Sequence, residues 1–594
     1  MLIFYDFECY RYDWLVVCID PVNQKETVIV NDVIQMKQFY EKHKGDIWVG
    51  FNSRNYDQYI LKGLIIGFDP YEVSDWIVNK KRKGWEYSNL FNRIQLINYD
   101  IMTGYNGLKT LEGFMGKNIV ETSVPFDLNR RLTKEEIDET IYYCRHDVQN
   151  TMEVFIRRKN EFDAQMDLVK EFGLPLADIG KTQAQLAAKI LGARKIALDD
   201  EFDLRLPDTL KLGKYEYIGE WFMSCKARIE AEMGSINMGN YDEWRKEFYK
   251  QFLETEVGGI PHKFGWGGIH GARKKFSYKV NDNQVLIMRD VSSMYPSMMI
   301  AYNLLSRAIT NKTRFPNIYN TNLRYKREKN KKRREPFKRI CNIVYGATRD
   351  KNNAMYDPLH GNLICIFGQL FVVDLIDKIE EYITMVQSNT DGILFIVDKD
   401  KLPIVNQLID EWEKRIGIET EEDPYKIVVQ KDVNNYIAIE ENGSYKCKGA
   451  YVKKLDALDY DLPIVNKAIT EYIINEVPVE KTINDCDSLI EFQKIVKVSN
   501  KYLRAWHNNT FLTDKTFRVF ASRNNEDTLI GRQKAVGETV VKFGNTPDHC
   551  FINNDDVNGK RIPRKLDKQW YIDLANKRLK QIYGEIEIDD DEDE

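Results

Sequence analysis

Val285-Leu286-Ile287-Met288 is a short apolar run that ends on Arg289-Asp290. Such a run reads as a buried strand, and a carboxylate at its end is costly unless something binds it. A divalent cation is one partner. A helix N-terminus is the other, since Asp290 and Ser292 are good caps for a helix starting nearby. A second acid bears on the choice. Val386 to Val397 reads as two strands joined through Asn389-Thr390-Asp391-Gly392, although Asp-Gly by itself is also a favoured hairpin turn. Asp290 and Asp391 together suit two divalent ions about 4 Å apart, clamping the attacking and leaving oxygens of a phosphoryl transfer. Between them lies Lys338-Arg339-Ile340-Cys341-Asn342-Ile343-Val344-Tyr345-Gly346. On a helix Lys338, Asn342 and Tyr345 share one face. A cation, an amide and a ring there suit a triphosphate, a hydrogen bond and a base pair; a solvated basic helix would look the same.

The chain is 594 residues long, too long for one core and enough for several domains. No apolar run reads as a membrane span, and Met1-Leu2-Ile3-Phe4-Tyr5-Asp6 lacks the marks of a signal peptide. A soluble protein working in a cytoplasm is expected, without a membrane partner. The nine cysteines are scattered without a Cys-x-x-Cys pair, so reduced thiols are expected and no structural zinc or iron–sulfur site. A net charge of −5 does not suggest nucleic-acid binding, but its distribution matters more. From Arg324 to Arg339, ten of sixteen residues are Lys or Arg, whereas Glu585 to Glu594 holds eight acids in ten. The acidic end, expected to be disordered, masks basic character elsewhere.

At the N-terminus, Leu2 to Glu8 reads as a first strand that puts Asp6 and Glu8 on one face. Ile47 to Phe51 reads as another, followed by Asn52-Ser53-Arg54-Asn55-Tyr56-Asp57. Thr133-x-x-Glu136 is a capping box that opens a helix running to about Glu161, with Tyr143 and Asp147 one turn apart. These pieces gather Asp6, Glu8, Asp57 and Asp147.

Asp290-x-x-Ser293-Met294-Tyr295-Pro296, Lys338-x3-Asn342-x2-Tyr345-Gly346 and Asn389-Thr390-Asp391 resemble, in order, motifs A, B and C of family B DNA polymerases, particularly the compact phage type. Asp-x-Glu, Asn-x3-Tyr-Asp and Tyr-x3-Asp resemble the DEDD exonuclease set in its tyrosine-bearing variant, over roughly residues 1 to 165. The resemblance implies a multidomain α/β and α+β fold: an RNase H-like exonuclease domain followed by a right-hand polymerase of palm, fingers and thumb. It divides the chain into 1–165 exonuclease, 166–285 linking region and N-terminal palm, 286–305 palm, 306–345 fingers, 346–451 palm, 452–584 thumb and 585–594 acidic tail. It implies synthesis of DNA from a primer 3′-OH on a template, with 3′→5′ proofreading. Two Mg²⁺ ions are implied at each site, with Mn²⁺ as the alternative: on Asp290, the Val291 carbonyl and Asp391, and on Asp6, Glu8, Asp57 and Asp147. Tyr143 orients the attacking water, Lys338 grips the triphosphate, Tyr295 excludes a 2′-OH, and Tyr345 packs on the nascent pair with Asn342 in support. Ser293 belongs to the same substrate site, and Lys326 and Arg327 are candidates from the opposing helix. The implied partners are primer–template DNA and dNTPs acting on a monomer, with a helicase, a single-strand-binding protein or a clamp as further candidates.

Several positions depart from the family pattern. Motif C has Asn389 in place of its first acid. The Lys-x-Tyr motif keeps Tyr436 but has Asn434, leaving Lys431 or Lys448 as substitutes. The Tyr-x-Gly-Gly motif keeps Gly267 and Gly268 but has no tyrosine, leaving Phe264 or Trp266 to supply the ring. No lysine lies in Val120 to Asp127, before the last nuclease motif, so a cation for the scissile phosphate is unassigned. The short fingers segment reads as two helices joined between Pro316 and Arg324, or later at Pro336. Asp290 to Lys338 spans 48 positions and Gly346 to Asp391 spans 45, without room for protein-priming insertions. Lys494, Lys497, Lys501, Tyr502, Trp506, Lys515, Phe517 and Arg518 interleave cations and rings as a DNA-backbone surface does. The rival readings are a nuclease with a decayed polymerase half and a DNA-binding scaffold without catalysis.

Overall fold

The computed structural model describes residues 1–233, 241–449 and 451–584. The acidic run 585–594, expected to be disordered, lies outside the described residues. Five strands open the chain: β1 (Leu2–Cys9), β2 (Trp14–Asp20), β3 (Lys25–Val30), β4 (Ile47–Gly50) and β5 (Ile97–Asp100). They form one sheet in the order β3-β2-β1-β4-β5. β1 runs antiparallel to β2 and parallel to β4, which makes it the centre of the sheet. The helix Lys134–Arg157 opens on the Thr133–Glu136 capping box and packs across β1. It stops at Arg157, short of Glu161, and a separate helix, Lys159–Glu171, follows at once.

The middle of the chain supplies β6 (Phe252–Val257), β7 (Ile260–Gly265), β8 (Ile269–Ala272), β9 (Phe276–Lys279), β10 (Gln284–Val291), β11 (Ile383–Asn389), β12 (Gly392–Asp398), β13 (Thr420–Tyr425), β14 (Ile427–Asp432), β15 (Asn435–Ile439) and β16 (Tyr445–Lys448). Seven of them make an antiparallel sheet ordered β13-β10-β12-β11-β8-β7-β6, and β16-β15-β14-β9 make a smaller one. β10 thus lies between β12 and β13, with Asp290 opposite Gly392 on one side and Glu421 on the other.

The helix Pro358–Ile379 is the core of this region. It is long and apolar enough, by length and composition alone, to cross a membrane, contrary to the expectation from sequence. Its apolar window is wholly buried within the protein, so it is a core helix. The basic segment forms two helices, Arg314–Arg327 and Lys331–Arg349. They join at Glu328 to Asn330, not between Pro316 and Arg324 nor at Pro336. Lys329 takes a left-handed backbone, φ +52°. The Asn330 side chain then accepts from the Arg333 N–H and caps the second helix.

Residues 452–584 mix helices with two small sheets. Their apolar core includes Val429, Ile437 and Ile439 of the β14–β15 hairpin, so this part is packed continuously onto the smaller sheet. The same region is also bonded to the N-terminal module. Ile119 donates to the Asn554 carbonyl at 2.8 Å and Val557 to that of Gly116 at 2.9 Å.

Candidate active sites

The first site is built on β1. Asp6 and Glu8 lie two residues apart on the central strand, and the Phe7 N–H between them donates to Asp57 Oδ1 at 3.0 Å. That bond places the first carboxylate of the helix Asp57–Ile66 beside them. Asp147 comes from the helix across β1, where Cys144, one turn earlier, donates its thiol to the Asp6 carbonyl at 3.3 Å. The approach loop is set by an acid that no sequence motif marks. Asp100, at the end of β5, accepts from the N–H groups of Asn52 (2.9 Å), Arg54 (3.1 Å) and Met102 (2.9 Å). Asn52 can turn there because it adopts a left-handed backbone, φ +62°.

Electrostatics in this nest are unfavourable without a cation. Burial, followed by the neighbouring carboxylates, raises the pKa of Asp6 and of Glu8 well above the ordinary range. Burial also pushes Asp57 up to about 7. An all-oxygen set of mutually repelling carboxylates is what a hard divalent ion such as Mg²⁺ or Mn²⁺ favours, so the residues present fit such an ion.

A protein cation is already close by. Lys109, on the helix Leu108–Phe114, donates to Asp147 and to Glu112, the latter at 3.2 Å. Its ammonium also lies 4.6 Å from the centre of the Tyr143 ring. Burial would pull the Lys109 pKa down, but Asp147 and Glu112 hold it above its usual value. Glu112 is fully buried. His146 Nδ1 stands 3.7 Å from Glu112 and 3.6 Å from Asp147. Residues 120–127 hold no lysine; the lysine beside Asp147 and Tyr143 is Lys109, from earlier in the chain.

A metal-binding prediction follows from these shifts. The folded chain holds protons on Asp6, Glu8 and Asp57 more tightly than the unfolded chain does. Metal-free stability therefore falls as pH rises from about 4 through the elevated folded values. Mg²⁺ or Mn²⁺ at about 100 times its dissociation constant is expected to return about 2.7 kcal/mol to the folded site. Thermal unfolding should show the midpoint rising with metal at pH 8 and hardly at pH 5. An unchanged midpoint at both pH values would remove the cation from this nest.

The second site lies where β10, β12 and β13 end. Asp290 Oδ2 accepts from Lys446 Nζ at 3.3 Å, while Asp290 Oδ1 is buried and makes no hydrogen bond. Burial raises the Asp290 pKa; Lys446 opposes that, and Asp391 adds to it. The Val291 N–H donates to the Asp391 carbonyl at 2.6 Å, so the two acidic segments are stitched together at the backbone. Gly392 does not take a positive φ among the described residues; the Asp-Gly pair is not a glycine-dependent turn. Its small size is required instead because a Cβ there would overlap Asp290 Oδ1 and come within 2.7 Å of the Arg289 carbonyl. An orphaned carboxylate oxygen next to a second acid also fits a divalent ion.

The cap expected from Asp290 or Ser292 does not form. The helix Met294–Ala301 starts after Ser293, which is left-handed at φ +50° and offers no side-chain cap. Such strain is typical of sites that hold a chain in one geometry. Tyr295 then stacks on Tyr345, ring centres 4.1 Å apart. Tyr345 accepts from Arg349 Nη1 at 2.9 Å. Lys338 and Asn342 are exposed on that helix. Arg349, missed in the sequence, extends their face by one further turn.

The remaining candidates divide. Lys326 is paired with Glu421 of β13, which also accepts from Ser292 Oγ at 2.6 Å, while Arg327 is exposed and has no acid partner among the described residues. The Gly267-Gly268 turn packs beside the β11–β12 turn: a Cβ on Gly268 would sit 3.2 Å from Thr390 Oγ1. Phe264 and Trp266 are both buried, so neither ring is presented at the surface. Tyr436 is also buried and pairs in register with exposed Lys448. The lysine that reaches Asp290 is Lys446, which no sequence motif marks. In the C-terminal region Phe517 and Arg518 are buried and Lys494 is paired with Asp461 at 2.6 Å, so these three do not belong to an open DNA-facing surface.

No protein-family model matches the sequence, and no curated protein does. Among solved structures, the chain is similar to the family B DNA polymerase from the hyperthermophilic archaeon Pyrobaculum calidifontis, with 12% identity and a TM-score of 0.42 over 99% of this chain and 78% of that one. A likeness at that level assigns no activity to this chain.

Proposed function

We propose that this chain is a template-directed DNA polymerase of the family B kind, with a 3′→5′ exonuclease in its first 165 residues. The observation that supports it most is the meeting of Asp290 and Asp391 across two paired strands, beside the stacked Tyr295 and Tyr345. The order β3-β2-β1-β4-β5, carrying acids on its central strand, suits an RNase H-like nuclease. In this reading the larger sheet is the palm, the two basic helices are the fingers, and residues 452–584 are the thumb.

Asp290, the Val291 carbonyl and Asp391 would hold divalent ions in the palm, and Asp6, Glu8, Asp57 and Asp147 would hold them in the nuclease. Ions bound there supply Lewis-acid stabilisation of phosphate oxygens and activation of the attacking oxygen. The chain's own groups do the rest. Lys338, exposed and without an acid partner among the described residues, takes charge developing on the leaving pyrophosphate. Tyr295 closes the floor under the sugar, and Tyr345 with Asn342 bears on the nascent pair. Ser293 holds the turn into the Tyr295 helix, and Arg327 adds a cation on the fingers. Lys326 reaches a triphosphate only by leaving Glu421. Gly267 and Gly268 admit the template strand beside Thr390, and Tyr436 supports Lys448 at the primer. In the nuclease, Tyr143 orients water and Lys109 neutralises the scissile phosphate.

Primer extension on a defined template with Mg²⁺ and dNTPs tests the reading directly. Extension whose product sequence follows the template supports it; its absence, with single-strand digestion intact, favours a second reading. There the palm would be silent. Asn389 in place of an acid and Lys446 already paired with Asp290 are the observations on that side. For the nuclease, Lys109→Ala is expected to lower the turnover of single-strand digestion about 100-fold, as loss of one preorganised cation does. Extension should stay within twofold. Equal loss of both activities would instead point to general unfolding.

A further inference from the structure

Of the ten tryptophans in the chain, nine are buried or half-buried. Trp85 is the exception, at 61% exposed. It stands one residue beyond Lys80-Lys81-Arg82-Lys83, four cations in a row, all exposed. The segment follows the helix Pro70–Val78 on the way from β4 to β5, and none of its side chains belongs to either acidic site. Its loop is fixed from within. The Arg82 N–H donates to the Trp76 carbonyl at 3.1 Å, and the Trp76 Nε1–H donates back to the Lys83 carbonyl at 3.1 Å. Gly84 is packed so closely on Tyr59 that a Cβ would overlap the ring. Lys80 is paired with Asp75 at 2.9 Å, and Glu86 Oε2 accepts from the Lys83 N–H at 3.2 Å. The side chains of Lys81, Arg82 and Lys83 have no acid partner among the described residues.

A run of cations alone is satisfied by water. An indole left in water beside it is not, because exposing so large an apolar side chain is costly. Three unpaired cations and a ring on one fixed loop suit a ligand that carries both anions and flat apolar faces. A single nucleic-acid strand carries both, in its phosphates and its unstacked bases. A duplex keeps its bases stacked and offers the ring no face. An acidic protein groove that reads a basic run as an extended peptide is disfavoured too, since Arg82 and Lys83 are tied to Trp76 at the backbone. We infer that Lys81, Arg82, Lys83 and Trp85 form a binding surface for a single strand of nucleic acid, separate from both acidic sites. The cations take phosphates and Trp85 stacks a base. The preformed loop lowers the ordering cost of binding. The inference needs neither the polymerase nor the nuclease reading, because binding requires neither reaction.

The test uses the full chain and an oligothymidylate long enough to reach beyond one site, in EDTA so that no metal-dependent digestion occurs. For Trp85→Ala the Kd is expected to rise roughly tenfold, the loss of one base–ring stack, with the slope of log Kd against log salt unchanged. For Lys81→Ala/Arg82→Ala/Lys83→Ala that slope should shrink by about 2, roughly 0.7 for each phosphate no longer neutralised. Trp85→Phe keeps a ring and should bind within about threefold of wild type. All four side chains are exposed, so the variants are expected to fold. Hydrogen exchange gives a second reading: the strand should slow exchange at residues 80–87 of the wild-type chain. An unchanged Kd and slope in both alanine variants overturns the inference, and so does exchange at residues 80–87 that ignores the strand. A slope that shrinks while Trp85→Ala binds like wild type, with polyglutamate competing as well as the strand, would assign the surface to an acidic protein and also overturn it.

Discussion

Asp290→Asn is expected to lower primer extension at least about a thousandfold and to leave single-strand digestion within twofold; Asp6→Ala is expected to do the reverse. A thousandfold is about 4 kcal/mol of transition-state stabilisation, a fair loss for a carboxylate that anchors a divalent ion at the reacting phosphate. The prediction is sharp because of where Asp290 sits. Its Oδ1 is buried with no hydrogen bond, so the carboxylate contributes nothing there to the bare fold. Asparagine keeps the size and can still accept from Lys446 through its carbonyl oxygen. It removes a charge that burial and Asp391 already disfavour. Stability should therefore hold or rise while synthesis stops. Steady-state primer extension and digestion of a labelled single strand, run on the same preparations, read the two outcomes. Synthesis that survived Asp290→Asn at a tenth of wild type would move the chemistry away from this strand.

The acids of both candidate sites are legible in the sequence where local pattern places them. A period of two puts Asp6 and Glu8 on one face, and an apolar run ending in Asp290 marks a strand whose tip carries charge. The helix face of Lys338, Asn342 and Tyr345 follows from a period of 3.6. The groups that are not legible are those joined only by the fold. Lys109 meets Asp147 from 38 residues away, and no spacing rule links a helix start to a later helix. Lys446 reaches Asp290 from β16, a strand of the smaller sheet, across to β10 of the larger one, whereas the sequence directs attention to positions beside Tyr436. Phe264 and Trp266 precede the Gly267-Gly268 pair and read as candidates for the ring of that motif, yet tertiary packing buries both. Gly392 looks like a turn residue; only the adjoining strand shows that the space is taken by Asp290.

Arg518 carries the second large effect, this time on stability. Its place among interleaved cations and rings marks it as a surface residue, yet it is fully buried. Its Nε donates to Gln493 Oε1 at 3.0 Å, its Nη1 to the carbonyls of Asn553 and Asp555, and its Nη2 to those of Gly113 at 3.2 Å and Lys117 at 2.6 Å. All five donor positions of the guanidinium are thereby used. Burial lowers its pKa to about 10, so it is still charged at neutral pH. Gly113 and Lys117 belong to the nuclease module and the other partners to the C-terminal region, so one side chain bolts the two ends of the chain together. Arg518→Leu keeps much of the volume and removes all five bonds, of which those to Gln493 Oε1 and the Gly113 carbonyl are buried and the other three part-buried. Each orphaned group costs on the order of 1–3 kcal/mol before relaxation, and a net loss of about 3–5 kcal/mol is expected. In a chain of this size the loss should appear as local opening, not global unfolding. Hydrogen exchange should speed up at Gly113–Lys117 and Asn553–Val557, while the helix Pro358–Ile379 stays protected. Undiminished protection at Gly113–Lys117 in Arg518→Leu would show that the backbone pairs at Ile119 and Val557 suffice to hold the two ends together.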